Sequence, residues 1–406
     1  MFKEKVIGNN IKVETKVPLG FRAGGIHCGI KKSKKDLALI VSELQATAAA
    51  VFTLNKVQAA PVLVSKLTLS ESGFHRAIIV NSGNANACTG DNGYDDAVKM
   101  IHETAKTLGI DANEVFVAST GVIGESLPIE KIISGIQVIS SELSGRDFSN
   151  AAEAIMTTDT FVKTVSSSFQ IDGNEVTIYG MAKGSGMIHP NMATMLGFVL
   201  TDAAIEKNIF QNLLKSSTDR TFNRIIVDGD TSTNDMVVAL ANGASGAIII
   251  SETESYKIFE EELYQVLKKL SIDIVRDGEG ATKVIEITVE GALSNEDAVK
   301  AARTVALSPL VKTAIHGEDA NWGRIIAAVG YSSIEFDPAK FEIFINRAQI
   351  LNQNYSVALS NAEANQLLKF SNIELLIRLN GGEGTGTCWT CDFSEEYVKI
   401  NGSYRS

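Results

Sequence analysis

The chain is short of the residues that most often announce a mechanism. Two tryptophans, four cysteines, five histidines and six prolines are spread over 406 residues. Cys28, Cys88, Cys388 and Cys391 are too few and too scattered to staple a disulfide scaffold, and their sparseness suits a reducing compartment. Basic charge is also lacking: 37 lysines and arginines stand against 48 aspartates and glutamates, a net charge of −11. That argues against a nucleic-acid partner, which would call for a basic face. It leaves anionic small molecules open, because a site can be locally basic inside an acidic protein. No apolar run approaches the roughly 20 residues of a membrane helix, and "GAIII" at 246–250 is far too short. The opening "MFKEKVIGNNIKVE" has no apolar signal-peptide core and no small-residue cleavage site, so a cytoplasmic protein with no membrane partner is expected.

What is present is an ordinary globular balance, 45% hydrophobic and 21% charged, in a chain long enough for roughly two or three domains. Tyr94, Val98, Ile101, Ala105 and Leu108 recur at helical spacing, and Gly109 follows as a stop. Phe259, Leu263, Val266, Leu270 and Ile274 make a second such stripe. Around them run strand-like segments: "RAIIVNSG", "EVFVAST", "KVIEITVEG", "KFEIFIN" and "IELLIRLNGG". Several strands follow one another between helices, without strict βαβ alternation. The expectation is a layered α/β (α+β) fold with mixed or antiparallel sheets. Thr194 to Leu200 reads as a strand with Thr194, Leu196, Phe198 and Leu200 on one face. Asp202 reads as the cap of a helix bearing Ile205, Ile209 and Leu213.

Several familiar motifs fail on inspection. "HETAK" at 102–106 lacks the second histidine of a zinc protease. "DGDTSTND" at 228–235 has Thr233 and Ala239 where a calcium loop needs glycine and glutamate. "CWTC" at 388–391 lies in a strand-like run, where residues three apart face opposite ways, so two packed thiols are expected rather than a metal or redox pair. No nucleophile elbow, phosphate loop or dinucleotide fingerprint survives. No metal site is expected.

There remain glycine-punctuated, threonine-rich turns at the ends of apolar runs: "NSGNANACTG" (81–90), "STGVIGES" (119–126), "MTTDT" (156–160), "AKGSGMIHPNMAT" (182–194), "VDGDTSTND" (227–235), "RDGEGATK" (276–283) and "HGEDANWGR" (316–324). Each alone is ordinary turn chemistry, but loops on rigid strands are where sites concentrate. A threonine nucleophile needs a base, and neither His189 nor His316 has a carboxylate partner identifiable from sequence. Cleaving the peptide bond before a threonine solves this. The new α-amine titrates around 8 and can serve its own hydroxyl. Thr194 suits the part: small Ala193 precedes it, a glycine-proline loop leads in, and a strand follows.

"KGSGMIHPNMATMLGF" resembles the self-cleavage motif of the ornithine acetyltransferase (glutamate N-acetyltransferase) family of arginine biosynthesis. "LGFRAGGIHCG", "NSGNANACTG", "STGVIGE", "TTDT", "DGDTSTNDM", "DGEGATK", "DANWGRI" and the terminal "INGSYRS" are similar to the family in the same order, so the resemblance covers essentially the whole chain. It implies cleavage between Ala193 and Thr194, giving an α chain 1–193 and a β chain 194–406. Thr194 would be the nucleophile, and Thr120 and Gly121 the oxyanion hole. Thr157, Lys183, Thr194, Glu279, Asn401 and Ser406 would bind substrate; the family ends in threonine where this chain has Ser406, which keeps the hydroxyl.

The resemblance further implies N-acetylornithine and glutamate as substrates, an acetyl-threonine intermediate, no cofactor, and an α2β2 assembly from two precursors. Acetyl-CoA as a second acetyl donor is left open. His189 is expected to shape its loop or assist processing. The implied fold is an αββα sandwich over residues 1–289 and a smaller C-terminal α/β region, 290–406, that returns its tail to the active site. Two other classes compete: an N-terminal-nucleophile amidohydrolase or aminopeptidase, which would pass the acyl group to water, and a non-catalytic binding protein. Intact Thr194, Lys183, Thr120 and Gly121 argue against the second.

Overall fold

The computed structural model describes residue 7 and residues 16–189 and 195–403. Alternating apolar positions build its central layers. In the strand Leu37–Phe52, Leu37, Leu39 and Val41 face one way and Ala38 and Ile40 the other, and all five are buried. Such two-sided burial needs cover on both faces. Leu37, Leu39 and Val41 join Ala77, Ile79, Val115 and Val117 against the helices Ala60–Glu71, Gly90–Leu108 and Ile129–Ile139. Ala38 and Ile40 join Ile78, Val80, Phe116 and Ala118 against a second set of strands, which contributes Met181, Leu196, Phe198, Leu200 and Val238.

The long strand carries the chain from one sheet to the other. Its first half pairs with Phe21–Ile26 and His75–Asn84, and the latter pairs in parallel with Val115–Val122. Its second half pairs with Met236–Ala241, beside which lie Leu196–Thr201, Asn174–Lys183 and Lys163–Ile171 in turn. Between the halves the register shifts and Glu43, Leu44 and Gln45 are exposed. A break of this kind lets one strand serve two sheets. Helix Glu254–Arg276 covers the second sheet; a Cβ on Gly180 would come 2.7 Å from Leu270. The layering is helix, sheet, sheet, helix, as expected.

The chain divides into two compact units. One is built chiefly from residues 10–223 and 230–274, to which the layers above belong; the other comprises residues 1–9, 224–229 and 275–404. The second therefore begins before residue 290, because the strand Val284–Ala292 is laid into its sheet, between Asn372–Arg378 and Gly384–Cys391. Helices Asn295–Leu307, Pro309–His316 and Trp322–Gly330 pack on that sheet around Ile287, Val289, Val305, Ile343 and Ile377.

Both helical stripes form helices. All five residues of the second are buried in Glu254–Arg276. The first lies in Gly90–Leu108, which Gly109 ends in the left-handed conformation at φ 66°. Its buried face is turned toward Ala97, Met100 and Thr104, leaving Tyr94 exposed. The expected strand after Thr194 runs Leu196–Thr201, with Leu196, Phe198 and Leu200 between the sheets; Thr194 lies outside the described residues. The Asp202 cap is corrected. The helix runs Lys207–Arg220 and Glu206 caps it, accepting from the backbone N–H of Asn208 and Ile209. Asp202 is buried and accepts from Leu19 and Thr177 instead, so it ties loops rather than a helix end.

Candidate active site

The parallel pair His75–Asn84 and Val115–Val122 ends in a glycine contact. Gly121 lies opposite Gly83 with φ 133°, and a Cβ there would come 2.3 Å from the Gly83 carbonyl carbon. Only glycine fits that approach. The neighbouring Thr120 is buried, and Lys183, at the end of Asn174–Lys183, donates to Thr120 Oγ1 at 3.2 Å.

The "TTDT" segment joins them. Asp159, 3% exposed, accepts from Gly184 N at 2.7 Å, Thr157 N at 2.9 Å and Lys163 Nζ at 2.8 Å. Burial pushes its carboxyl up, but the Lys183 and Lys163 ammoniums outweigh that and hold it well below the usual carboxylate range. Thr158 and Ser185 share a hydroxyl hydrogen bond at 2.6 Å. Thr120, Gly121, Thr157 and Lys183, chosen on sequence grounds, are thus brought together by direct bonds and by Asp159. Ala193, Thr194 and Ser406 lie outside the described residues, and His189 is half-buried at the edge of that segment.

Three further residues belong to this site. Asp159 is visible in sequence only as part of "TTDT". Lys31 is hidden among the neighbouring Lys32, Lys34 and Lys35, yet it alone turns inward: its Nζ donates to Lys35 O at 2.9 Å and Met156 O at 2.5 Å. Its stem crosses Gly83. Burial, assisted by the Lys183 charge, brings it down to about 8 against the pull of Asp36 and Asp159. Its loop is fastened to buried Asp36, which accepts from the backbone N–H of Cys28, Gly29, Ile30 and Lys31. Asp235, the third, is fully buried and accepts from Met195 N at 2.9 Å; burial raises it well above an ordinary aspartate, although that bond and Lys183 oppose the shift.

In the second unit Asn401, on helix Glu395–Ser403, donates to Glu279 Oε2 at 2.8 Å, so two more of the chosen residues meet. His316 does have a carboxylate partner, contrary to the sequence reading: its Nδ1 lies 2.7 Å from Asp392 Oδ2. Asp392 also accepts from Thr282 N, Thr282 Oγ1 and Lys283 N. The two residues are 76 positions apart, which no spacing argument reaches. Cys388 and Cys391 sit in strand Gly384–Cys391, both buried and unbonded to each other, and burial raises Cys388 to about 11. Among the described residues no cluster of three His, Cys, Asp or Glu is placed to hold a metal, and no helix is long and apolar enough to cross a membrane.

The fold and site define the class: an αββα sandwich with a polar site gathered at the ends of its strands. The particular family follows from comparison. A model of the ArgJ family matches residues 22–406, and the chain belongs to that family. It is 49% identical over 395 residues to the Arginine biosynthesis bifunctional protein ArgJ of Caldanaerobacter subterraneus subsp. tengcongensis, covering 96% of this chain and 98% of that one. It is 48% identical over 397 residues to the protein of the same name from Thermotoga neapolitana, covering 96% of this chain and 100% of that one. Among solved structures, the arginine biosynthesis bifunctional protein of Bacillus halodurans is 43% identical with a TM-score of 0.50, covering 51% of this chain and 98% of that one.

Proposed function

We propose that this chain transfers the acetyl group of N2-acetyl-L-ornithine to L-glutamate in arginine biosynthesis, through an acetyl ester on Thr194. The observation that carries the reading is the Lys183–Thr120 hydrogen bond beside Gly121. It places a cation and a hydroxyl together at the glycine contact, and the near-full-length identity to named relatives supplies the pathway.

The precursor cuts itself between Ala193 and Thr194, and the freed α-amine becomes the base for the Thr194 hydroxyl. That the Bacillus halodurans chain is spanned almost wholly by 51% of this one supports a mature protein of two roughly half-length chains. The hydroxyl attacks the acetyl carbonyl. The Thr120 O–H and the Gly121 N–H stabilise the oxyanion, and ornithine leaves. Glutamate enters, and its amine takes the acetyl group from Thr194. Lys183 faces the substrate carboxylate and Thr157 lines its approach. Glu279 takes the ornithine ammonium, with Asn401 and Ser406 as further substrate contacts. The chemistry needs no metal or organic cofactor. The relatives' description as bifunctional supports acetyl-CoA as a second donor to glutamate. An α2β2 assembly in the cytoplasm completes the reading.

The test is product analysis with purified protein. N-acetylornithine plus glutamate should yield ornithine and N-acetylglutamate, and acetyl-CoA plus glutamate should yield N-acetylglutamate. Acetate formed at the same rate with and without glutamate would make the protein an amidohydrolase instead.

A further inference from the structure

The transfer chemistry leaves the buried acid Asp235 unused. Asp235 is 1% exposed, immediately before strand Met236–Ala241, which runs parallel to Leu196–Thr201 with Met236 opposite Leu196. Its backbone carbonyl accepts from Thr53 N at 2.9 Å, which fixes the residue from a third strand end. Oδ1 accepts from Met195 N at 2.9 Å, whereas Oδ2 is buried and has no hydrogen-bond partner among the described residues. Buried carboxyl oxygens are normally paired, so an orphan demands an explanation. Lys183 is the charged group acting on it.

The place of this acid in the chain is informative. Met195 is joined to Thr194 by one peptide bond, so Oδ1 grips the backbone one residue beyond the nitrogen that must depart when the bond before Thr194 breaks. An amide nitrogen is a poor leaving group unless it is protonated as it leaves. We propose that Asp235 is the proton donor for that cleavage, an inference that rests on Thr194 being the self-processing nucleophile.

The step balances. Thr194 Oγ bonds to the Ala193 carbonyl carbon and the carbon–nitrogen bond breaks. The electron pair stays on nitrogen, which takes the Asp235 proton. The proton lost by the hydroxyl restores the acid. Water then attacks the same carbonyl carbon, the carbon–Oγ bond breaks, Ala193 leaves as a carboxylate, and Thr194 keeps its hydroxyl and a free amine.

The test follows the loss of full-length chain after cell-free synthesis of wild type, Asp235→Asn and Thr194→Ala, between about pH 6 and 9. Asparagine keeps the acceptor for Met195 N–H but is no acid. The expected result is wild-type cleavage that slows as pH rises, and cleavage of Asp235→Asn that is slower by about 10²- to 10⁴-fold and insensitive to pH. Circular dichroism reports whether that variant folds as wild type does. Cleavage of folded Asp235→Asn at the wild-type rate would overturn the inference. So would a wild-type rate that climbs steadily with pH, a result that needs no variant. Thr194→Ala separates the two readings: if it is cut like wild type, Thr194 is not the nucleophile and the underlying proposal fails. If only Thr194→Ala stays whole, Thr194 stands and Asp235 falls.

Discussion

Lys183 Nζ donates to Thr120 Oγ1 at 3.2 Å, between the end of one strand and the glycine contact of another. A threonine hydroxyl that accepts from an ammonium still has its own O–H to give. The bond therefore does more than hold two buried groups together: it leaves the Thr120 proton for an incoming oxygen. Replacing Thr120 by valine keeps the volume and removes that donor. The expected loss is about 10²- to 10³-fold in kcat with KM little changed, the pattern of a lost oxyanion contact. Steady-state kinetics on chain shown by mass to be cleaved as wild type checks this. A change confined to KM would assign Thr120 to ground-state binding.

Gly121 gives a sharper structural test. With φ 133° and a Cβ position 2.5 Å from Asn84 N, Gly121→Ala must push apart the ends of two paired strands. Both activity and thermal stability should fall, because strain and collision act together at that position. Thermal melting of the variant checks it. An alanine accepted without a fall in Tm would contradict the close approach.

Lys31 should make substrate use depend on pH. Its ammonium is held to about 8, below the ordinary 10.5. The charge it contributes beside Lys183 is present below about 8 and lost above. The apparent KM for glutamate should therefore rise as pH passes about 8, and Lys31→Met should show a raised KM without that rise. The stability sign is independent. Between about 8 and 10.5 the unfolded chain binds the extra proton, so wild type gains stability relative to Lys31→Met across that window as pH rises. Denaturant melts at several pH values read this out.

His75 predicts an acid-side effect. It is fully buried, stacked on Phe116 at 4.5 Å, with Nε2 3.2 Å from Thr68 O, and burial lowers it from 6.5 to about 4. Between those values the unfolded chain takes a proton that the folded chain refuses, so stability falls as pH drops through the window. His75→Phe retains a ring against Phe116 and should flatten that part of the stability profile. An unchanged slope would mean that His75 titrates alike in both states.

Local periodicity was legible in the sequence wherever one element buried one face. The stripe from Phe259 to Ile274 is buried in full. The strand Leu37–Phe52 was not legible, because it is apolar on both faces and changes sheets at Glu43, which period-two reading cannot anticipate. Asp202 was misread for a related reason: its partners, Leu19 and Thr177, lie far along the chain and outcompete a local cap. The chosen residues Thr120, Gly121, Thr157 and Lys183 came from resemblance, and the fold joins them. Lys31 and Asp235 were invisible because their distinction is environmental. Nothing in "IKKSKKD" marks the lysine that turns inward, and nothing in "TSTND" marks a fully buried acid that grips the backbone of Met195.

The central claim is that Thr194, freed by cleavage, carries the acetyl group. The most direct measurement is the intact mass of the denatured protein after incubation with N-acetylornithine and no glutamate, followed by peptide mapping. The account predicts two chains divided between Ala193 and Thr194, with one acetyl group on the peptide that begins at Thr194 and its loss when glutamate is added. A single uncut chain that still forms N-acetylglutamate, or an acetyl group on any other residue, would contradict it.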